Sequence, residues 1–221
     1  TQFFSLEVLK KIALVAIPSV LQQSFISIGN IFIQGLVNSY GSDVIAGYSA
    51  AVKLNTFLIT GMTTLGNGIS GFTAQNLGAG LPGRIREGYR AGIKMALGVT
   101  VPFFIGFFFF GKAMMLLFME NAGGRAMETG ILFLRIVSPF YFVISVKLIA
   151  DGILRGTESM RYFMIATFTD LILRVILAYL FSAWLEEAGI WMSWPAGWCV
   201  GTLLSIIFYG KVMNRLVEKK R

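Results

Sequence analysis

The sequence contains no histidine and a single cysteine, Cys199. Without histidine the chain lacks the commonest metal ligand and proton shuttle of enzymes. A lone cysteine can form neither a disulfide within the chain nor a Cys–His nucleophilic pair. No complete phosphate-binding loop, HExxH zinc motif or GxSxG nucleophile turn occurs either. We therefore expect that the protein is not an enzyme and that it binds no metal or cofactor.

Acidic residues are also scarce, and what fills the chain instead is apolar sequence, at 56% of the 221 residues. A helix rises about 1.5 Å per residue, so about 20 residues cross a hydrocarbon core about 30 Å thick. The sequence therefore predicts an all-α integral membrane protein, a six-transmembrane-helix bundle that occupies residues 1–221 as one domain of a multi-pass cell membrane protein. The predicted spans are about 12–38, 44–77, 89–110, 130–154, 164–184 and 190–212.

Basic residues alternate between the connections. The N-terminal segment, the second and fourth connections and the C-terminal tail hold most lysines and arginines, whereas the other connections hold only Lys112 and Arg125. By the positive-inside rule both termini face the cytoplasm. The net charge of +8 then reflects topology and contact with membrane lipids, and we expect no nucleic-acid partner. A predicted outer interfacial belt consists of the four tryptophans: Trp184, Trp191, Trp194 and Trp198.

Polar residues recur every three or four positions in the first two spans, which places each set on one helical face. Such faces avoid lipid, because a stranded polar group costs several kcal/mol there. Either the two faces hydrogen-bond to each other, or both line a water-filled cavity. We predict the cavity, with substrate-binding residues Gln23, Ser27, Asn30, Gln34, Lys53, Thr56 and Thr60.

Asp151 and Asp170 are the only acids at depth in the later spans. Asp170 precedes Arg174 by four residues, and Asp151 follows Lys147 by the same interval, which suits ion pairs within one helix. Two interpretations remain open: the pairs are structural, or a carboxylate alternates between arginine and a coupling cation. On the second interpretation the candidate ion-coupling residues are Asp170, Arg174 and Asp151. Two stripes of small residues predict close helix packing: Gly88, Gly92 and Ala96, and Ser193, Gly197, Gly201 and Ser205.

The strongest local motif is Ala74-Gln-Asn-Leu-Gly-Ala-Gly80, a tight turn at a helix end that is followed by Arg84. The other motifs are Ile17-Pro-Ser-Val-Leu-Gln-Gln23, Val37-Asn-Ser-Tyr-Gly-Ser-Asp-Val-Ile-Ala-Gly-Tyr-Ser-Ala-Ala51, Asp151-Gly-Ile-Leu-Arg-Gly156 and Leu173-Arg-Val175. In this order and at these intervals, they resemble the MATE (multidrug and toxic compound extrusion) family of transporters. The resemblance is closest to the carboxy-terminal six-helix lobe and covers essentially the whole chain.

The resemblance implies one lobe of a two-lobe antiporter that exports organic cations or amphipathic drugs by alternating access. Sodium or proton would be the coupling ion, and the partners would be small organic substrates, membrane lipids and an amino-terminal six-helix lobe. Several members carry a glutamate in the first helix of this lobe, where this chain has Gln22, Gln23 and Asn30. Two alternatives stay open: a lobe of a related lipid-linked sugar or polysaccharide flippase, and an uncoupled six-helix membrane scaffold.

Overall fold

The computed structural model of the protein describes residues 5–120 and 123–218, and they are almost entirely helical. The predicted domain, 1–221, therefore includes three short stretches that lie outside the described residues. The elements are α1 (Leu6–Asn38), α2 (Ser42–Gly78), α3 (Pro82–Phe109), α4 (Gly111–Met115), α5 (Arg125–Val137), a 3₁₀ turn (Ser138–Phe140), α6 (Tyr141–Gly156) and α7 (Met160–Glu218).

Helix α7 consists of two antiparallel arms. Its helical backbone is interrupted at Glu186, where φ is 51° and ψ is −137°. Beyond that residue the chain folds back, since the Tyr162 and Phe208 rings stack with centroids 4.8 Å apart. A Cβ atom added at Gly189 would collide with the backbone of Phe181, so the arms touch next to the reversal. The first arm (residues 160–185) and the second arm (residues 187–218) correspond to the predicted fifth and sixth spans.

Six membrane crossings result within the described part of the chain, as the sequence predicts. Four helical stretches are long and apolar enough to span a bilayer. One of them, Arg125–Gly156, joins α5 to α6 and makes one crossing. Another, Met160–Leu216, holds both arms of α7 and makes two crossings. Helix α2 is the remaining crossing. At 37 residues it is long enough to span a bilayer, and it falls outside this group because of its polar residues.

Contacts between helices show that consecutive crossings alternate in direction. Helices α2 and α3 are antiparallel, since a Cβ at Gly88 would collide with the Phe72 ring near the turn that joins them. At the opposite end of the bundle, the Arg125 guanidinium pairs with the Glu187 carboxylate at 3.1 Å. The third and fifth connections therefore lie on the same side, as the alternation of charge predicts.

Helix α1 lies at the edge of the bundle. Only 6% of the residues in its most apolar stretch are buried. The helix packs more extensively on α7 than on α2. It runs parallel to the first arm of α7, because Phe25 meets Phe168 with ring centroids 4.7 Å apart and Tyr40 lies against Ser182. The core is formed mainly by α2, α5, α6 and the second arm of α7.

The predicted small-residue stripe of α3 is confirmed as a packing surface. Gly88 lies against Phe72, and Gly92 lies against Ile69 of α2 and Ile149 of α6. The predicted tight turn is also confirmed, because Gly80 has a φ of 68° and Leu81 N–H donates to Asn76 O at 2.9 Å. Glycine is favoured there because other residues rarely adopt positive φ.

The prediction of a tryptophan belt is wrong for three of the four residues. Trp184 is 88% exposed, but Trp191, Trp194 and Trp198 are 0%, 6% and 4% exposed. The last three recur at intervals of three and four, so they share one face of the second arm of α7. That face packs into the core, where the Trp191 ring stacks on Tyr48 with centroids 4.9 Å apart. The helical spacing was the signal for burial.

Candidate transport sites

Part of the predicted substrate surface lines an open cleft between α2 and α3. The cleft has a volume of about 620 Å³, and the exposed side chains of Lys53, Thr56 and Thr60 lie along it. Phe57 and Phe103 give it an aromatic wall. Apolar and aromatic walls with a few polar groups are typical of small-molecule sites.

Lys53 has no carboxylate partner in the described part of the chain, although a charge at membrane depth ordinarily acquires one. Its ammonium group lies 5.9 Å from the centroid of the Phe118 ring. A cation–π contact at an exposed site contributes about 0.5–1 kcal/mol. The ammonium group therefore remains available to water or to a ligand in the cleft.

The predicted polar residues of α1 lie elsewhere. Gln23, Ser27 and Asn30 are exposed and Gln34 is half-buried, but none of them lines the cleft. Gln34 Nε2 donates to Asn38 Oδ1 at 2.8 Å within the same helix. The lobe alone thus does not form one cavity with both polar faces, because α1 leans onto α7 instead of lying along α2.

A second polar site is buried between α6 and the two arms of α7. It comprises Lys147, Asp151, Asp170 and Arg174, which are 3%, 2%, 6% and 6% exposed. We call these four residues the ionic cluster. Lys147 Nζ lies 2.7 Å from Asp151 Oδ2 and 3.9 Å from Asp170 Oδ2. On its other oxygen, Asp151 accepts a hydrogen bond of 2.6 Å from Ser205.

Glycines of the second arm make room for the cluster. A Cβ atom at Gly197 would approach Asp170 Oδ1 to 2.6 Å, and one at Gly201 would approach Asp170 Cβ and Lys147 Cε to 2.8 Å. Distances below about 3.0 Å require a neighbour to shift. The small-residue stripe of this arm therefore packs, as predicted, and what it packs against is the ionic cluster.

The predicted ion pair between Asp170 and Arg174 is wrong. The Arg174 guanidinium lies over the Trp194 ring, 4.6 Å from its centroid, and Nη2 donates to Asn30 Oδ1 at 3.4 Å. Among the described residues, the only cation within 4.0 Å of the Asp170 carboxylate is Lys147. Spacing along one helix indicates that a pair is possible, but here the facing helices supply closer partners for both residues.

The pairing predicted for Lys147 and Asp151 is confirmed. Arg155 follows Asp151 by one turn of α6. The Arg155 guanidinium lies 5.4 Å from the centroid of the Phe163 ring. The sequence did not reveal that Lys147 faces Asp170, since the two residues are on different helices. The only available signal was an unexplained lysine at membrane depth, which ordinarily marks a functional position.

Two fully buried atoms of the ionic cluster have no hydrogen-bond partner among the described residues. They are Asp170 Oδ1 and Arg174 Nε, and both are buried. A buried polar group without a partner costs about 1–3 kcal/mol, and more when it is charged. A partly satisfied buried network therefore contributes less to stability than a fully satisfied one.

A six-crossing helical bundle with a polar cleft and ionisable residues at depth is typical of secondary transporters. Residues 18–180 match the family model MatE, so the chain belongs to the MatE family. Its members are membrane transporters, and the chain is part of a multi-pass membrane protein.

Two curated relatives come from Bacillus subtilis (strain 168). The probable multidrug resistance protein YpnP is 26% identical, over 92% of this chain and 46% of its own length. The probable multidrug resistance protein YoeA is 24% identical, over 96% of this chain and 47% of its own length. The chain thus spans about half the length of the curated relatives it matches.

Solved structures share the fold. One is the outward-facing conformation of a multidrug resistance MATE family transporter of the MOP superfamily, with a TM-score of 0.89 and 20% identity over 98% of this chain and 49% of that one. Another is a MOP superfamily transporter from Pyrococcus furiosus, described by the reverse polarity of its binding pocket. It has a TM-score of 0.88 and 20% identity, over 96% of this chain and 48% of that one.

Proposed function

We propose that the chain is one lobe of a cation-coupled antiporter that exports organic cations or amphipathic drugs by alternating access. A second six-helix lobe completes the assembled transporter, and sodium or proton is the coupling ion. In transporters of this kind, alternating access arises when one bundle moves against the other around a central site.

The observation that carries the proposal is the exposed polar face of α2. Lys53, Thr56 and Thr60 point away from the lobe's own core at membrane depth. A lysine at the helix centre costs about 2.5–3.5 kcal/mol on insertion scales when it faces lipid. The face therefore suits a water-filled cleft between two lobes. Its aromatic neighbours suit an amphipathic substrate.

Relatives support drug export over other cargo, since YpnP and YoeA are both described as probable multidrug resistance proteins. The alternative cargo is an anionic lipid-linked sugar. It is favoured by one observation, the Lys53 ammonium in the cleft, which has no carboxylate partner among the described residues. Replacement of Lys53 by methionine separates the two: export of a fluorescent organic cation is retained in a drug transporter, whereas binding of an anionic lipid is lost in a flippase.

The test is drug export by the assembled transporter in proteoliposomes with an imposed cation gradient. Thr56→Leu fills the cleft and removes a hydroxyl, so we expect about a tenfold loss of export, equivalent to about 1.4 kcal/mol, with a folded yield near that of the wild type. The matched control is Ser24→Leu, since Ser24 is exposed on α1 outside the cleft. Equal export by the two variants would contradict a role of the cleft in transport.

A further inference from the structure

A second groove runs between α2 and α3, on the cytoplasmic side of the cleft described above. It has a volume of about 460 Å³, and its lining extends from Thr64 to Phe72 on α2 and from Arg84 to Met95 on α3. We call it the cytoplasmic groove, because the turn between these helices lies on the basic side of the protein. Thr64 also lines the cleft, so the groove and the cleft are continuous.

Most of the cytoplasmic groove is apolar. Its floor lies where the two helices touch, since a Cβ atom at Gly92 would approach the Ile69 side chain to 2.8 Å. The apolar side chains along it are Leu65, Ile69, Phe72, Ala91 and Met95. Helix α3 is long and apolar enough to cross a bilayer, so the apolar groups available to this surface are lipid chains. The body of the groove therefore suits an acyl chain.

The cytoplasmic end of the groove carries two opposite charges. Arg84 and Glu87 both line it, and both are exposed. In the described part of the chain, neither of them has an ion-pair partner within 4.0 Å. The Arg84 guanidinium lies 6.0 Å from the centroid of the Phe72 ring. Side chains three residues apart share a helical face, with Cβ atoms about 5–6 Å apart. The groove thus presents a cation and an anion side by side.

This pair of charges complements one class of lipid headgroup. In phosphatidylethanolamine, two carbons separate an anionic phosphate from a primary ammonium group. A guanidinium binds phosphate with two parallel hydrogen bonds, and an ammonium has three N–H donors for a carboxylate. A choline headgroup has no N–H donor, and a glycerol headgroup has no positive charge. Only the ethanolamine headgroup therefore satisfies both Arg84 and Glu87.

We propose that the cytoplasmic groove binds one phosphatidylethanolamine molecule of the inner leaflet. Its phosphate binds Arg84, its ammonium group binds Glu87, and one acyl chain lies along the groove toward Thr64. The site is separate from the ionic cluster and from the predicted substrate surface at Lys53. Its occupancy is measured without transport, so a failure of this proposal leaves the proposed export untouched.

The experiment uses the assembled transporter in phosphatidylcholine nanodiscs. In a Cys199→Ser background, a bimane fluorophore is attached to a cysteine at Gly98. This position follows Met95 on the same face of α3, is exposed, and has nothing within 4 Å of an added Cβ atom. A small, equal fraction of phosphatidylethanolamine, phosphatidylglycerol or phosphatidylcholine with brominated chains is then added, and quenching by bromine reports contact with the fluorophore.

The ratio of quenching by the ethanolamine lipid to quenching by the choline lipid is the quantity of interest. These two lipids have the same net charge, so diffuse attraction to basic residues cannot distinguish them. We expect a ratio of about three in the wild type, within the range of exposed ion pairs. Arg84→Gln and Glu87→Gln should each reduce it to about one, because each variant lacks one headgroup partner. The matched control is Arg86→Gln, since Arg86 is exposed on α3 and does not line the groove.

A further variant tests the seat of the acyl chain. Gly68 lines the groove, and nothing lies within 4 Å of an added Cβ atom there. Gly68→Leu should therefore fold normally, fill the groove and reduce the ratio to about one. Gly71→Leu is its control, because Gly71 is equally open and lies outside the groove lining. We expect Gly71→Leu to keep the wild-type ratio.

Four outcomes would overturn the proposal. Equal quenching by the ethanolamine and choline lipids in the wild type would show that the headgroup is not recognised. Strongest quenching by phosphatidylglycerol would show that net charge alone attracts the lipid. Equal losses in Arg84→Gln and Arg86→Gln would remove Arg84 as the phosphate partner. Absence of quenching by every lipid would show that protein covers the groove in the assembled transporter.

Discussion

Two buried polar interfaces meet on α6, and they differ in the charge of the groups that they hold. Toward α2 and α3, the Tyr141 hydroxyl donates to Asn55 Oδ1 at 2.9 Å, and Ser145 shares a hydrogen bond of 2.7 Å with Thr100. Toward α7 lies the ionic cluster, with Asp170 Oδ1 and Arg174 Nε unpaired. Hydrogen bonds between neutral groups favour one packing, whereas buried charges without a full set of partners gain from rearrangement.

The lobe therefore consists of two parts, which we call the frame and the switch. The frame is α2, α3 and α6, held by neutral hydrogen bonds and by glycines that bring backbones into contact. The switch is the interface between α6 and α7, with α1 attached to its far side. The following predictions test this division, starting with the largest effect.

The frame should be the less tolerant of added volume. A Cβ atom at Gly152 of α6 would collide with the carbonyl oxygen of Gly66 on α2, and a backbone atom cannot rotate away. Overpacking costs about 1–3 kcal/mol even where side chains can shift. We expect Gly152→Leu to reduce the yield of folded protein to nearly zero, as measured by fluorescence-detected size-exclusion chromatography.

The matched control for that substitution is Gly71→Leu, because nothing lies within 4 Å of a Cβ atom at Gly71. Its folded yield should equal that of the wild type. Equal losses for the two variants would show that the contact between α2 and α6 is no more demanding than the rest of α2.

Neutral substitutions should separate stability from transport. Tyr141→Phe leaves the Asn55 carbonyl oxygen buried without a donor, at a cost of about 1–3 kcal/mol, so we expect a lower melting temperature and unchanged coupling in the protein that folds. Asp170→Asn removes a carboxylate, and Lys147 stays paired with Asp151. We expect a nearly normal melting temperature and loss of gradient-driven export. The reverse result for either variant would contradict the division.

A second substitution distinguishes the observed cluster from the ion pair that helical spacing predicts. If Asp170 and Arg174 were structural partners, Arg174→Gln would restore both yield and export to Asp170→Asn, since no unpaired charge would remain. The observed contacts predict no restoration, because Arg174 engages Trp194 and Asn30. Export by the double variant near the wild-type level would show that Asp170 and Arg174 are structural partners.

The smallest effect concerns the exposed face of α2. In a Cys199→Ser background, single cysteines at Thr56 and Thr60 should react with a water-soluble maleimide in the assembled transporter without loss of fold. A cysteine at Leu58, which is 1% exposed, should not react. Protection of all three positions would mean that the face is covered by protein or lipid instead of water.

Much of the architecture could be predicted from the sequence, since each apolar stretch reports its own crossing. The packing role of Gly88 and Gly197 was also predictable from spacing alone. What could not be predicted depends on which helix lies beside which. Whether Lys147 meets Asp170, whether Trp191 faces lipid or core, and whether α1 lies along α2 or α7 are tertiary facts that no periodicity encodes.

The central claim is that the charge of Asp170 moves α7 relative to the frame. Double electron–electron resonance tests it with spin labels at two exposed pairs in the assembled transporter: Arg90 with Ile172, which connects the frame to the first arm of α7, and Ser49 with Arg90, which lies within the frame. We predict that the first distance distribution changes between alkaline and acidic buffer, that Asp170→Asn abolishes this change, and that the second distribution stays constant. A first distribution that ignores pH, or a change that persists in Asp170→Asn, would contradict the account.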